Sequence, residues 1–213
     1  MSSRRPARLG VTDASRADIK QDYIILDAIH GLGMLYADQG KPGEAEKMYQ
    51  RALEGKEKGL GRDHTSTLDT VNNLGSLYAD QGKLGEAEKM YQRALEGYEK
   101  ALGPELAASY IPALNTVYNL GLLFASQGDI GRARAMYLRA LVGYQKVFGD
   151  DHPRCQSLRG CLTTLETSAK RVLSVHTKAD GMRRPSIDIP RPYVHGTKSA
   201  SRTNRLLKKF GLR

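Results

Sequence analysis

Residues 31–60 read GLGMLYADQGKPGEAEKMYQRALEGKEKGL, and residues 73–102 read NLGSLYADQGKLGEAEKMYQRALEGYEKAL. Twenty-five of the thirty positions are identical at an offset of 42. A third copy, NLGLLFASQGDIGRARAMYLRALVGYQKVF at 119–148, keeps 17 of the 30 positions of the second copy. Its offset is 46, because four residues are added between Leu102 and Asn119. Gly149-Asp150-Asp151-His152 then echoes Gly61-Arg62-Asp63-His64, the start of a further half copy. Self-similarity at this period predicts a solenoid.

Each copy reads as two helices. In the second, Leu68, Val71, Leu74, Leu77 and Tyr78 fall at helical spacing over about 65–80. Gln81-Gly82-Lys83 stops that helix, since glycine takes the left-handed conformation that closes one. A second helix over about 84–99 carries Ala87, Met90, Tyr91, Ala94, Leu95 and Tyr98 on one side. The short turn makes the pair antiparallel. One hairpin cannot bury its own apolar face, so neighbours must stack. Gly75 and Ala87 are small where the two helices cross. Pro112 suits a helix's first turn, and the inserted residues before it predict a longer loop or a short extra turn. The expected organisation is an N-terminal arm at 1–20 and an all-α solenoid at 21–176. Its repeats lie at about 22–60, 64–102 and 107–148, with a closing helix at about 153–174. A disordered basic tail occupies 177–213.

The chain has 213 residues, 33 basic and 23 acidic, for a formal charge of +10. That charge is concentrated at the ends: +3 in residues 1–20 and +8 in 177–213, which leaves −1 for the body. A basic whole would suggest a nucleic-acid-binding domain. The partition describes a near-neutral body with two basic arms, so nucleic acid or an anionic membrane is expected only as a partner of the arms. The composition, 40% hydrophobic and 26% charged, suits a packed core. Two cysteines are too few for a disulfide-stapled domain. No apolar run is long enough to cross a bilayer and no secretory signal opens the chain, so an intracellular, cytoplasmic setting is expected.

The order of an apolar residue, Leu-Gly, an aromatic, Ala, an aromatic and Ala is met by Val71, Leu74-Gly75, Tyr78, Ala87, Tyr91 and Ala94. Ile29, Leu32-Gly33, Tyr36, Ala45, Tyr49 and Ala52 meet it again, as do Val117, Leu120-Gly121, Phe124, Ala133, Tyr137 and Ala140. This pattern resembles the tetratricopeptide repeat family. The longer period and the EAEKMYQRALEGYEKALG wording resemble its kinesin-light-chain subclass and are similar to the repeat arrays of fungal NLR-like receptors. The resemblance implies a right-handed helix-hairpin solenoid that binds a protein or peptide partner, with no enzymatic activity and no cofactor.

The residues themselves offer no catalytic constellation. Cys155 and Cys161 are six apart, so on a helix they face different sides and do not make a metal site with His152; buried, inert thiols are expected. His64 and His152 open the first helices of their repeats, where capping or packing against the preceding loop is the expected role. Gly31-Leu32-Gly33 lies within a helix and lacks a preceding strand, so it is not a nucleotide loop.

At 100° per residue, Asp69, Asn72, Ser76 and Ala79 share an arc of about 80° away from the apolar face. The equivalents are Asp27, His30, Met34 and Ala37, then Asn115, Tyr118, Leu122 and Ala125; Asn73 and Asn119 flank the arc. In tetratricopeptide proteins this surface is a concave peptide groove. The resemblance thus nominates Asp27, His30, Met34, Asp69, Asn72, Asn73, Ser76, Asn115, Tyr118, Asn119 and Leu122 as partner-binding residues, the asparagines gripping peptide backbone. Lysine and arginine are missing from these positions, which disfavours a terminal-carboxylate clamp and favours a neutral or basic, partly apolar peptide. In the tail, Arg183-Arg184-Pro185-Ser186 fits basophilic kinases and makes Ser186 a candidate phosphosite. Leu206, Leu207 and Phe210 can share a helical face among basic residues, and docking of residues 202–213 in the groove beside Asp27, Asp69, Asp38 and Asp80 is a further expectation.

Overall fold

In the computed structural model, residues 13–176 are described along the backbone and residues 22–168 to the side chain. They form α1 (Asp13–Asp38), α2 (Pro42–Gly59), α3 (Thr65–Asp80), α4 (Leu84–Leu102), α5 (Pro104–Ala107), α6 (Ile111–Ser126), α7 (Ile130–Phe148) and α8 (Pro153–His176). No strand occurs among the described residues. The four-residue α5 is the short extra turn expected from the insertion. α1 begins at Asp13, within the stretch expected as an arm. Residues 1–12 and 177–213 lie outside the described residues, so the readings placed on them have no structural counterpart here.

The hairpins α1–α2, α3–α4 and α6–α7 stack in order, and α8 follows as the first helix of a fourth unit. The first helices α1, α3 and α6 touch in sequence, and each new first helix also packs on the preceding second helix. Local signals start and stop the helices as chemistry requires. His64 Nδ1 accepts from the Ser66 N–H at 3.2 Å, and His152 Nδ1 accepts from the Arg154 N–H at 3.2 Å. Asp129 caps α7 by accepting from the Arg132 N–H at 2.9 Å, and that bond with the Arg132 guanidinium holds its carboxyl below the usual range. At the end of α3, Gly82 adopts φ +76° and the Lys83 N–H reaches back to the Tyr78 carbonyl at 2.9 Å.

Two reciprocal contacts lock each hairpin. A Cβ on Gly75 would sit 2.9 Å from the Tyr91 ring, and one on Gly97 would sit 2.4 Å from a Leu68 methyl. Tyr91 and Leu68 are thus knobs that need a hydrogen opposite them. Neighbouring repeats share ion pairs on their second helices: Arg93 with Glu57, and Arg139 with Glu99, the same pair one repeat later. The main core runs from Tyr91 and Leu95 through Leu114, Leu120 and Phe124 to Tyr137, Cys155, Leu158 and Leu165.

The packing separates two glycines by their surroundings. A Cβ on Gly143 would meet a Leu114 methyl at 2.1 Å and the Ala108 backbone oxygen at 2.8 Å, whereas one on Gly160 in α8 meets nothing within 4 Å. Gly143→Ala should therefore cost about 1–3 kcal/mol through overpacking. Gly160→Ala should gain about 0.5–1 kcal/mol by lowering the entropy of the unfolded chain. Urea unfolding of the two variants checks both signs.

Candidate functional site: the inner row of helices

The residues expected to line a groove are reached from α1, α3 and α6. The structure divides them. Asp27 is exposed, and His30, Met34, Asp69 and Tyr118 are half-buried. Asn72, Asn73, Ser76, Asn115, Asn119 and Leu122 are buried, none more than 3% exposed. These six do not form an open peptide-gripping surface, because the neighbouring first helix covers the side facing away from the second helix.

The buried amides join one repeat to the next. The Thr116 hydroxyl donates to Asn72 Oδ1 at 3.0 Å, and Asn119 Nδ2 donates to the same oxygen at 3.4 Å. Asn72 Nδ2 donates to Asn73 Oδ1 at 3.3 Å. Asn73 Nδ2 meets His30 Nε2 at 3.0 Å, and His30 Nδ1 meets Thr70 Oγ1 at 2.9 Å. The Thr70 hydroxyl gives its own proton to the Ser66 carbonyl, so the consistent tautomer carries the His30 proton on Nδ1. Ser76 Oγ accepts from Tyr91 OH at 3.0 Å and lies 3.5 Å from Asn119 Nδ2. One polar ladder therefore crosses from α1 through α3 to α6. Leu122, at the position of Ser76, joins the apolar core instead.

A second row, which the sequence reading missed, uses the aspartate positions within each repeat. Lys56 Nζ lies 2.8 Å from Asp27, Tyr98 OH donates to Asp69 at 2.5 Å, and Tyr144 OH donates to Asn115 Oδ1 at 2.5 Å. Each joins the second helix to the first at equivalent positions. Lys56 is only 2% exposed, so Asp27 is its counter-charge as well as a surface group. Burial, then the Asp69 charge, pushes the Tyr98 hydroxyl far above the usual tyrosine range and keeps it a donor. Asn115 Oδ1 also lies 3.3 Å from Arg154 Nη1, while its buried amide nitrogen has no partner. The signal was the paired change across copies: Asp with Lys, Asp with Tyr, Asn with Tyr.

The inner row still offers surface at its C-terminal edge, where Asp38 and Asp80 are exposed beside half-buried Ala37, Tyr78 and Ala79. No lysine or arginine occurs from Asp22 to Asp38, in α3 or in α6. α5, α6 and α7 also form a half-open cleft of about 310 Å³, apolar at Leu114, Val117 and Val142 and lined too by Arg139 and Lys146. Catalytic chemistry finds little here. Cys155 is buried with its thiol 3.4 Å from the Gly149 carbonyl, the place and bond that Thr67 has with Gly61. Burial pushes the Cys161 thiol up, away from the reactive thiolate. Among the described residues no group of His, Cys, Asp and Glu could hold a metal ion, and no helix is long and apolar enough to cross a membrane.

Known proteins share this architecture. The tetratricopeptide repeat family matches the chain over residues 25–100 and again over 114–154. No curated protein matches it in sequence. Among solved structures, BtubC (BKLC) from P. vanneervenii is similar at 20% identity and a TM-score of 0.57, covering 83% of this chain and 79% of that one. The putative kinesin light chain of Podosopora anserina, with nearly identical TPR-like repeats, is similar at 18% identity and a TM-score of 0.59, covering 77% and 81%. A single-residue variant of that fungal protein gives the same TM-score. Repeats of this kind mediate protein–protein interaction in general, and such scaffolds are typically not enzymes. With two matched spans that take in all three hairpins, and with its hairpins stacked as in kinesin-light-chain-like arrays, this chain belongs to the tetratricopeptide repeat family.

Proposed function

We propose that the chain is a non-enzymatic interaction scaffold that holds a neutral or basic, partly apolar peptide along the inner row of helices. The observation that carries this is the charge of the row. Its exposed edge has Asp38 and Asp80, and α3 and α6 contribute no cation; Asp27 further along is paired with Lys56, and the cations at this edge, Lys41 and Lys83, lie over the Tyr36 and Tyr78 rings. A peptide's basic groups would face those carboxylates, and its apolar groups would meet Met34, Ala37, Tyr78 and Ala79. A C-terminal carboxylate would meet like charge. The buried asparagines act on this surface indirectly, by fixing the spacing of the helices that carry it.

Display selection on the full chain should enrich peptides that mix Lys or Arg with apolar residues. Asp38→Lys with Asp80→Lys should weaken the recovered peptides about tenfold, or about 1.4 kcal/mol, without loss of helicity. Enrichment of acidic peptides whose binding is lost in Lys146→Glu would sink the inner-row reading and move the site to the α5–α7 cleft. Binding that ignores both changes and falls steeply with salt would instead implicate the basic arms.

The asparagines give a contrasting expectation. Asn72→Ala removes three hydrogen bonds of the buried ladder, while the Thr116 hydroxyl keeps the Pro112 carbonyl at 3.0 Å and Asn119 keeps Ser76 Oγ at 3.5 Å. It should cost about 1–3 kcal/mol in urea unfolding, the range for about one buried polar group losing its partner. Peptide affinity of the protein that remains folded should stay near wild type.

A further inference from the structure

The outward face of α1 is both apolar and exposed. Ile24, Ile25, Leu32 and Leu35 are between 44% and 58% exposed, and Ala28 and Gly31 between them are exposed too. The internal equivalents in α3 are Ser66, Thr67, Thr70, Asn73, Leu74 and Leu77. Apart from half-buried Ser66, those residues are buried against α1 and α2. The internal helix, covered by a neighbour, is thus the more polar one. α1, exposed on this side, has Ile, Ile and Ala where the covered α3 has Ser, Thr and Thr. Drift after duplication would erode apolar residues on a wetted face; this change runs the other way.

The other end of the solenoid is built differently. The exposed residues of α8 include Gln156, Thr163, Thr164, Glu166 and Thr167, with half-buried Arg159 among them. Stacking copies head to tail would set the apolar face of α1 on this polar one. Other exposed apolar residues, Leu106, Leu138 and Val142 of α5 and α7, are interrupted by Arg139 and Lys146, so the fitting counterpart of the uncharged α1 stripe is α1 itself. Its pattern is also self-complementary. Ile25, Ala28, Leu32 and Leu35 follow the three–four spacing of a helix-pairing seam. The small pair Ala28 and Gly31 lies at the centre, and a Cβ on Gly31 would meet nothing within 4 Å. Two antiparallel copies would close at these small residues and set the isoleucines of one against Leu32 and Leu35 of the other.

We propose that the Ile24–Leu35 face of α1 is the contact of a two-fold symmetric dimer, with a second copy of this chain as its occupant. Closed two-fold pairing is the commonest assembly of like chains and hides the whole stripe without leading to open filaments.

Sedimentation equilibrium of the full chain over a wide concentration range tests this. The expected result is twice the 23.5 kDa of one chain. Ile25→Lys with Leu35→Lys should weaken dimerisation by roughly a hundredfold or more, as loss of central apolar anchors does, with helical circular dichroism unchanged. Because both side chains are about half exposed, the variant should fold; Ala28→Cys provides an independent readout, since its thiol near the two-fold axis should link copies under mild oxidation. Thr163→Lys with Thr167→Lys on α8 should leave the dimer intact, and loss of the dimer in that variant would show head-to-tail stacking and overturn the assignment. A chain that stays monomeric at every concentration also overturns it. So does a monomer that dimerises only when Leu206→Glu and Phe210→Glu are introduced, because the tail would then be the cover of α1.

Discussion

One carbonyl oxygen, Asn72 Oδ1, takes hydrogen bonds from two residues of the next repeat, and much of the rest follows from the need to satisfy it. A buried amide left open costs about 1–3 kcal/mol, so Thr116 and Asn119 must arrive at one depth and one rotation of α6 against α3. Apolar packing between stacked hairpins is permissive by comparison, since leucines accept small sliding motions. The polar ladder removes that freedom. It converts three similar hairpins into one row with a set spacing, and a set spacing is what a partner reads from a repeat scaffold.

The ladder also sets the character of the surface. With the centres of α3 and α6 engaged by their neighbours, the helix ends and the half-buried His30, Met34, Asp69, Tyr78 and Tyr118 remain for contact. Asp38 and Asp80 stand exposed at those ends, and α3 and α6 contain no lysine or arginine. The buried Lys56 uses Asp27, so the first repeat commits one acidic group to its own hairpin while Asp38 stays at the edge. Shape and charge are therefore consequences of the same burial.

The hairpins, their turns and the inserted turn α5 were legible because each rests on local chemistry: a glycine at positive φ, a proline in a first turn, a leucine or tyrosine at helical spacing. The roles of His64 and His152 were legible for the same reason, as caps decided within two residues. The asparagines were misread because a helical wheel knows one partner per helix. It assigns the side away from α4 to solvent, but α3 has α1 on one flank and α6 on the other. The second row was missed because it needs residues 29 positions apart to be read as pairs, Asp27 with Lys56 and Asp69 with Tyr98.

Differences between the copies carry the information that their identities conceal. Asn73 and Asn119 sit where α3 and α6 each have a preceding first helix to meet; at the same place α1 has Gly31 and no such helix before it among the described residues. Thr67 and Thr70 serve a junction, and their counterparts Ile25 and Ala28 do not. At the far end Cys155 keeps the hydrogen bond of Thr67 because α7 still covers it. Each substitution thus follows the neighbour that its position has, and polar residues persist where a specific partner fixes them. By that rule the apolar stripe on the exposed side of α1 lacks a neighbour within the described residues, and the proposed dimer contact would supply one.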